Sequence, residues 1–260
     1  MIKGIDLSKH NGAIDFDKVK ASGVDFVILR AGYGKTTEDP NFSTYIKEAN
    51  RVGLKIGVYW FIYAKTSLDI AYNVKMCDAT IRNYKDLITL GVWCDFEYDS
   101  DKYVARQLSK AERSAWVKMF MDALKGKGYE VGLYANPDYL KNKFTKLDGY
   151  KLWLAWYTDK TDEVASYNPF MWQYTSAGNV DGIKTPVDLN YIIEEKHAPI
   201  VVTKGSPLML RTEPNTKGEI ITKIPNGAKV EIINKPVKNW YFIEFGGLQG
   251  YASAKYIKED

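Results

Sequence analysis

Residues 91–100 read GVWCDFEYDS, a short apolar run with the look of a buried strand that ends in Asp95, Glu97 and Asp99 on alternate positions. Side chains along a strand alternate faces, so this spacing predicts three carboxylates projecting to one side where the chain leaves the core. Holding like charges together costs free energy, so the cluster asks for a function.

The surrounding sequence says how such a strand would be housed. IKGIDLS, DFVILRAG, KIGVYWFI, LGVWCDFE and YEVGLYAN read as strands, and DFDKVKASG, DPNFSTYIKEANRVG, SLDIAYNVKMCDATIRNY and SKAERSAWVKMFMDALKGKG read as the helices between them. Proline near a helix start and glycine after its end mark the second of these helices. Alternation of this kind predicts a parallel sheet, and the number of units favours a barrel over an open sheet. Beyond about residue 150 the helical periodicity fades, and KLWLAWY, PFMWQYT and VDLNYI follow as strands with loops between them. The expected fold is therefore α/β, an irregular (β/α) TIM-like barrel whose last strands lack full helices. The strand ends of such a barrel gather at one mouth. DFE falls there, Asp6 ends the first strand, and Asp188 lies in the last one.

Near EEKHAPIVVTKGSP the composition changes. The remainder reads as short strands cut by EPNTKG, PNG, NKPVKN and FGG, which predicts a small all-β barrel. The expected domains are residues 1–197 and 198–260. The tail carries nine Lys and Arg against six Asp and Glu, a net +3 of the whole chain's +4.

That overall charge is mild and suits a polyanionic surface such as a bacterial wall, while no dense basic stripe or RNA-binding motif points to nucleic acid. No stretch reaches the roughly 18 uninterrupted apolar residues of a membrane helix, so no membrane insertion is expected. MIKGIDLSKHNG runs straight into a strand without an apolar leader, and the expectation is synthesis in the cytoplasm without a signal peptide. Two cysteines and two histidines are too few for a disulfide framework or a typical zinc hydrolase, so no metal and no cofactor are expected. Cys94, between Trp93 and Asp95, is expected to face away from the carboxylates as a buried thiol.

Cleaving a glycosidic bond needs a proton for the leaving oxygen and a negative or nucleophilic group to meet the oxocarbenium charge; two carboxyl groups in different environments supply both. Asp95 is expected to disfavour ionisation of Glu97, keeping Glu97 protonated as an acid. The same acids could instead form a solvated loop or bind a hard cation, although no calcium-loop pattern is present. The chain holds 19 Tyr and 7 Trp, and aromatic side chains commonly line sugar clefts. Trp60, Tyr63, Tyr98, Tyr134, Trp156 and Trp172 are the candidates for substrate binding. His10 is expected to pack or hydrogen-bond beside the pocket rather than act as acid or base.

Residues 1–195 resemble the glycoside hydrolase family 25 muramidases, the Chalaropsis-type lysozymes found among phage endolysins and bacterial autolysins. GIDLSKHNG, WCDFEYD, GLYAN and MWQYTSAGNVDGIKTPVDLNY carry the resemblance. It implies cleavage of the β-1,4 bond between N-acetylmuramic acid and N-acetylglucosamine. Glu97 matches the proton donor, Asp95 its partner carboxylate, and Asp6 and Asp188 the other two acids of the pocket. One departure is RAGYGKTTEDPNF, where many members carry a Lys-x-Ser/Thr-Glu-Gly signature; this affects loop detail and subsite contacts. Spacing along a strand, roughly 6.5 Å over two residues, does not choose between retaining and inverting carboxylate pairs. A third route, attack by the substrate's own 2-acetamido group with Asp95 orienting it, is the favoured expectation. Rival readings are a non-catalytic wall-binding protein on the same scaffold and a different wall hydrolase.

Residues 200–260 resemble a bacterial SH3-like wall-targeting domain, on LMLRTEPNTKGEIITKIPNGAKVEII and NWYFIEFGGLQGYASAKYI. Such a module would raise the local concentration of an insoluble substrate. Arg211, Trp240, Tyr241 and Tyr251 are its candidate contacts. The partner implied for both domains is bacterial peptidoglycan, reached after release by a phage holin or by lysis.

Overall fold

A computed structural model of the chain describes residues 2–193, 199–237 and 239–259. It divides into two compact units, Met1–Glu194 and Glu195–Asp260. The expected domain boundary between residues 197 and 198 lies outside the described residues.

The first unit runs β1 (Ile2–Leu7), α1 (Phe16–Ala21), β2 (Phe26–Tyr33), β3 (Thr37–Glu38), α2 (Phe42–Arg51), β4 (Lys55–Phe61), α3 (Ser67–Ile81), β5 (Ile88–Asp95), α4 (Tyr98–Val104), α5 (Lys110–Lys125), β6 (Val131–Ala135), β7 (Lys151–Ala155), α6 (Thr161–Ala165), β8 (Met171–Gly178) and β9 (Val187–Ile192). Local chemistry starts the long helices. At α3, the Asp69 N–H donates to Thr66 Oγ1 and the Thr66 N–H donates back to Asp69, both at 3.3 Å; Ser109 and Glu112 do the same for α5. Along α5, Trp116, Val117, Phe120, Met121 and Leu124 recur at helical spacing and are buried.

Strands β1, β2, β4, β5, β6, β7 and β8 pair in parallel, and β9 closes the barrel antiparallel to both β8 and β1. The two-residue β3 hangs on the β2 edge. The antiparallel β9 shows how Asp188 reaches the mouth. Asp188 stands near the start of β9, and the reversal of that strand brings its beginning to the mouth, level with Asp6.

Two aliphatic and aromatic layers result. Between sheet and helices lies the main core, with Leu29, Val58, Cys94, Phe120 and Leu124. Inside the barrel lies a smaller plug of Phe26, Ile28, Trp93, Trp153, Met171 and Ile192. The plug explains two inward-facing glycines. A Cβ on Gly4 would fall 2.3 Å from the Phe26 ring, and one on Gly132 would fall 2.2 Å from the Trp93 ring. Large rings fill the barrel only because their neighbours present no side chain.

Two residues further toward the mouth, the inward positions become polar. Gly4 gives way to Asp6, Ile28 to Arg30, Trp93 to Asp95, Gly132 to Tyr134 and Met171 to Gln173, and on the reversed β9 Ile192 gives way to Asn190 and Asp188. The period of two along each strand thus separates an apolar floor from a polar mouth.

The second unit comprises β10 (Ile200–Val201), β11 (Leu208–Arg211), β12 (Ile220–Ile224), β13 (Glu231–Val237), β14 (Trp240–Phe245), β15 (Leu248–Ser253) and β16 (Ile257–Lys258). Five strands form an antiparallel sheet in the order β12-β11-β15-β14-β13, and β10 pairs with β16. Gly246 and Gly247, at φ 60° and 79°, make the tight turn between β14 and β15, where Phe245 pairs with Leu248. Val201, Leu210, Ile224, Ile243 and Ala252 are fully buried and form the centre of its core. The all-β expectation holds.

Candidate active site

Strand neighbours of one sheet place their side chains on one face, and the register assembles the mouth. Asp6 lies opposite Asp188, Asp95 pairs with both Phe61 and Tyr134, and Gln173 pairs with Asn190. Acids separated by up to 182 positions in the chain thus reach one place.

Asp6 is buried among polar partners. Its Oδ2 accepts from Gln173 Nε2 at 2.9 Å and from Asn190 Nδ2 at 2.8 Å, while Asn190 Oδ1 accepts from Trp153 Nε1 at 2.8 Å. Burial, then the neighbouring Asp188, push the Asp6 carboxyl well above the usual range. Burial raises Asp188 as well, against a hydrogen bond from Asp6 that favours its ionised form. The two carboxyls therefore titrate as one coupled pair, raised by burial.

Asp95 is buried, and its Oδ1 has no hydrogen-bond partner among the described residues. Burial raises it first, then Glu97 and Asp6, against the field of Arg30. Arg30 is inward-facing on β2, fixed by a 2.7 Å ion pair from Nε to Asp39 Oδ2, with its Nη2 buried and without a partner among the described residues. Asp39 in turn accepts from the Lys9 and Asn41 backbone N–H groups, each at 3.0 Å.

Glu97 follows β5, and its N–H donates to Ser100 Oγ at 3.1 Å where α4 begins. Burial, then Asp99 and then Asp188, raise its carboxyl from 4.5 to about 7. The expected direction is right; burial is its leading cause, and the expected repulsion between Glu97 and Asp95 is present, raising Asp95. Asp99 differs from expectation in place as well. It lies in the first turn of α4, exposed and paired with Lys102 at 2.8 Å, because the chain turns helical directly after Glu97.

Among the aromatic candidates, Tyr134 stands at the mouth, its hydroxyl donating to Gln173 Oε1 at 2.9 Å. Tyr63 packs against Phe61, Tyr33 and Tyr103 and lines a groove of about 570 Å³ with Asp99 and Lys102. Tyr98 sits exposed at the start of α4, its hydroxyl donating to Asp138 at 3.0 Å. The three tryptophans are corrections. Trp60 is fully buried on the helix side of β4, its Nε1 donating to Gly34 O and Asn73 Oδ1 at 3.1 Å each. Trp172 is buried on the outer face and donates to Trp156 O at 2.7 Å, and Trp156 packs edge-on to Tyr167 in the same outer cluster. Even spacing from inward residues does not apply to them; each is one residue out of phase with Tyr59, Ala155 or Gln173. His10 is exposed on a 3-10 turn, Lys9–Asn11, instead of packing beside the pocket. Cys94 and Cys77 are buried free thiols, raised by burial and turned away from the acids.

Sequence reasoning missed Gln173, Asn190, Tyr157, Tyr59 and Arg30. Gln173 ties the missed Tyr157 to the expected residues: it donates to Asp6 and accepts from Tyr134 and from Tyr157, whose hydroxyl donates at 2.9 Å. An isolated Gln between two aromatic residues gives no signal in one sequence. Among the described residues no group of three or more His, Cys, Asp or Glu is placed to hold a metal ion.

In the second unit, alternation along β14 and β15 splits the four candidate contacts. Trp240, Arg211 and Tyr251 share the outer face, where Arg211 pairs with Tyr251 and Tyr251 packs on Phe242 at 4.9 Å. Tyr241 is on the core face, and its hydroxyl donates to Glu259. The turn away from the outer face is the correction for Tyr241.

A closed eight-stranded barrel with acids converging at its strand ends defines a glycosidase scaffold. The chain belongs to the glycosyl hydrolases family 25, whose family model matches residues 5–183, and it carries a bacterial SH3 domain matching residues 206–258. It is 29% identical over 195 residues to the autolytic lysozyme of Clostridium acetobutylicum, covering 74% of this chain and 56% of that protein. Lysozyme M1 of Streptomyces globisporus is 25% identical over 196 residues, covering 73% and 67%. The modular autolysin LytC of Streptococcus pneumoniae superposes with a TM-score of 0.63 at 31% identity, covering 73% of this chain and 46% of that one. The chain thus spans about half the length of the first and third of these relatives.

Proposed function

We propose that the chain hydrolyses peptidoglycan as an N-acetylmuramidase, at the β-1,4 bond between N-acetylmuramic acid and N-acetylglucosamine. The observation that carries this reading is Glu97, a part-buried carboxyl raised to about 7 beside a cluster of further acids. The lysozyme relatives support the substrate, and LytC was solved with a synthetic peptidoglycan ligand.

Glu97 is the general acid: protonated below pH 7, it gives its proton to the oxygen of the leaving sugar as the C–O bond breaks. The 2-acetamido oxygen of the muramic acid attacks the anomeric carbon from the opposite face. In its ionised form Asp95 accepts the acetamido N–H and stabilises the positive charge that grows there, with Arg30 opposing part of the burial that raises its carboxyl. Glu97, now ionised, then takes a proton from water as the water opens the intermediate. Asp6 and Asp188, with Gln173 and Asn190 holding Asp6, form the polar floor under the sugar. Tyr134 and Tyr157 present ring edges and hydroxyls around it.

Digestion of isolated walls by the wild type and by Glu97→Gln tests the assignment. New reducing muramic acid ends, seen by mass spectrometry, are expected from the wild type and lost in the variant while wall binding persists. Unchanged lysis by the variant removes Glu97 from the acid role. An initially released α-anomer rules out the acetamido route, because two displacements return the β-anomer.

A further inference from the structure

The outer face of the SH3-like sheet carries a groove of about 670 Å³ within the second unit. Its lining includes Lys204, Arg211 and Lys255 and no acidic side chain. Among the described residues none of the three cations makes an ion pair, whereas the lysines lining the groove beside the barrel mouth, Lys35 and Lys102, are both paired with aspartates. Arg211 is oriented by one hydrogen bond, Nη1 to Gly218 O at 2.8 Å, which leaves the other edge of its guanidinium for a ligand. Trp240 and the exposed Tyr256 add flat faces, and Met209 an apolar contact.

From this lining we infer that the groove binds a phosphodiester-linked sugar or polyol chain of the wall. The inference rests on the wall-lytic reading and names what the second domain grips. Aromatic faces pack on the carbon skeleton of sugars and polyols, and a fork of cations suits phosphate oxygens. A peptidoglycan stem peptide fits less well. It combines carboxylates with the ammonium group of its diamino residue, and that ammonium would meet three cations and no acid. A phosphodiester chain repeats its negative charge and brings no positive charge of its own.

The test uses the full chain carrying Glu97→Gln, so that walls are not consumed, on isolated Gram-positive walls before and after hydrofluoric acid has stripped their phosphodiester polymers. Retention is expected to fall at least about tenfold on stripped walls, to weaken with salt, and to be competed by soluble polyglycerol phosphate. Lys204→Glu with Lys255→Glu, both exposed positions that leave the core untouched, is expected to lose retention on intact walls by a similar factor. Equal retention on stripped and intact walls, or full retention by the charge-reversed chain, overturns the inference. Retention competed by muropeptides but not by polyglycerol phosphate assigns the groove to the peptide and overturns it too. The muramidase reading is scored separately, by reducing ends released from stripped walls by the chain with Glu97 intact. Failure there leaves the binding result standing, and the reverse also holds.

Discussion

Replacing Glu97 by Gln should abolish lysis and stabilise the barrel, and the stabilisation should grow with pH. In the folded chain the Glu97 carboxyl is raised from 4.5 to about 7. A raised carboxyl contributes its full stability below the unfolded value of 4.5 and loses it as pH rises through about 7, because the folded state then has to hold a charge that the unfolded state holds freely. Gln does not titrate, so the variant escapes that loss. Taken whole, a shift of this size corresponds to about 3 kcal/mol. Glu97 is part-exposed and water screens it, which reduces the expectation to about 1–2 kcal/mol. For a unit of this size that is about 2–8 °C in Tm. Loss of the Glu97 charge also eases ionisation of Asp95, which Glu97 raises, and this acts in the same direction. Thermal and urea unfolding of both chains at pH 4 and pH 8 measures the effect on the barrel transition. The variant should gain over the wild type between the two values; a gap that stays constant or narrows refutes the placement of Glu97 in a desolvated acidic cluster.

The same group predicts that kcat/KM for wall digestion falls as pH rises through about 7, and an alkaline limb well below pH 6 would show that another acid controls the rate. Gln173→Ala removes a donor to Asp6 and the acceptor of two tyrosine hydroxyls, and is expected to lower kcat/KM by about 10–100-fold with little loss of wall retention; undiminished turnover would remove Gln173 from the site. Gly132→Ala pushes a methyl into the Trp93 ring and should destabilise the barrel by about 1–3 kcal/mol, measured by urea unfolding, whereas an unchanged midpoint would contradict the packing of the interior plug. Thiol reagents should leave Cys77 and Cys94 unlabelled in the native chain and label both in denaturant, and native labelling would contradict their burial.

How much of this was legible beforehand differs by element. Strand composition announced all eight strands of the barrel and the helices between the earlier ones, since hydrophobic period and cap residues are local properties. The short β3, α4 and α6 escaped, each carried by few residues and settled by its neighbours. Asp95 and Glu97 stood out because a carboxylate ending an apolar run has little reason to be there. The tryptophans misled because aromatic content says nothing of facing. Trp60 and Tyr59 are chain neighbours, and only strand phase decides that one packs under helix α3 and the other reaches the acids.

By itself, then, the sequence determined the fold class, the two-part architecture and the identity of the acids, because local periodicity and composition encode them. Tertiary structure alone decided how far burial and neighbouring charge raise each of those acids. That depends on the reversal of β9, which sets Asp188 across from Asp6, and on the desolvation of a mouth built from eight strands, neither of which any local stretch of chain contains.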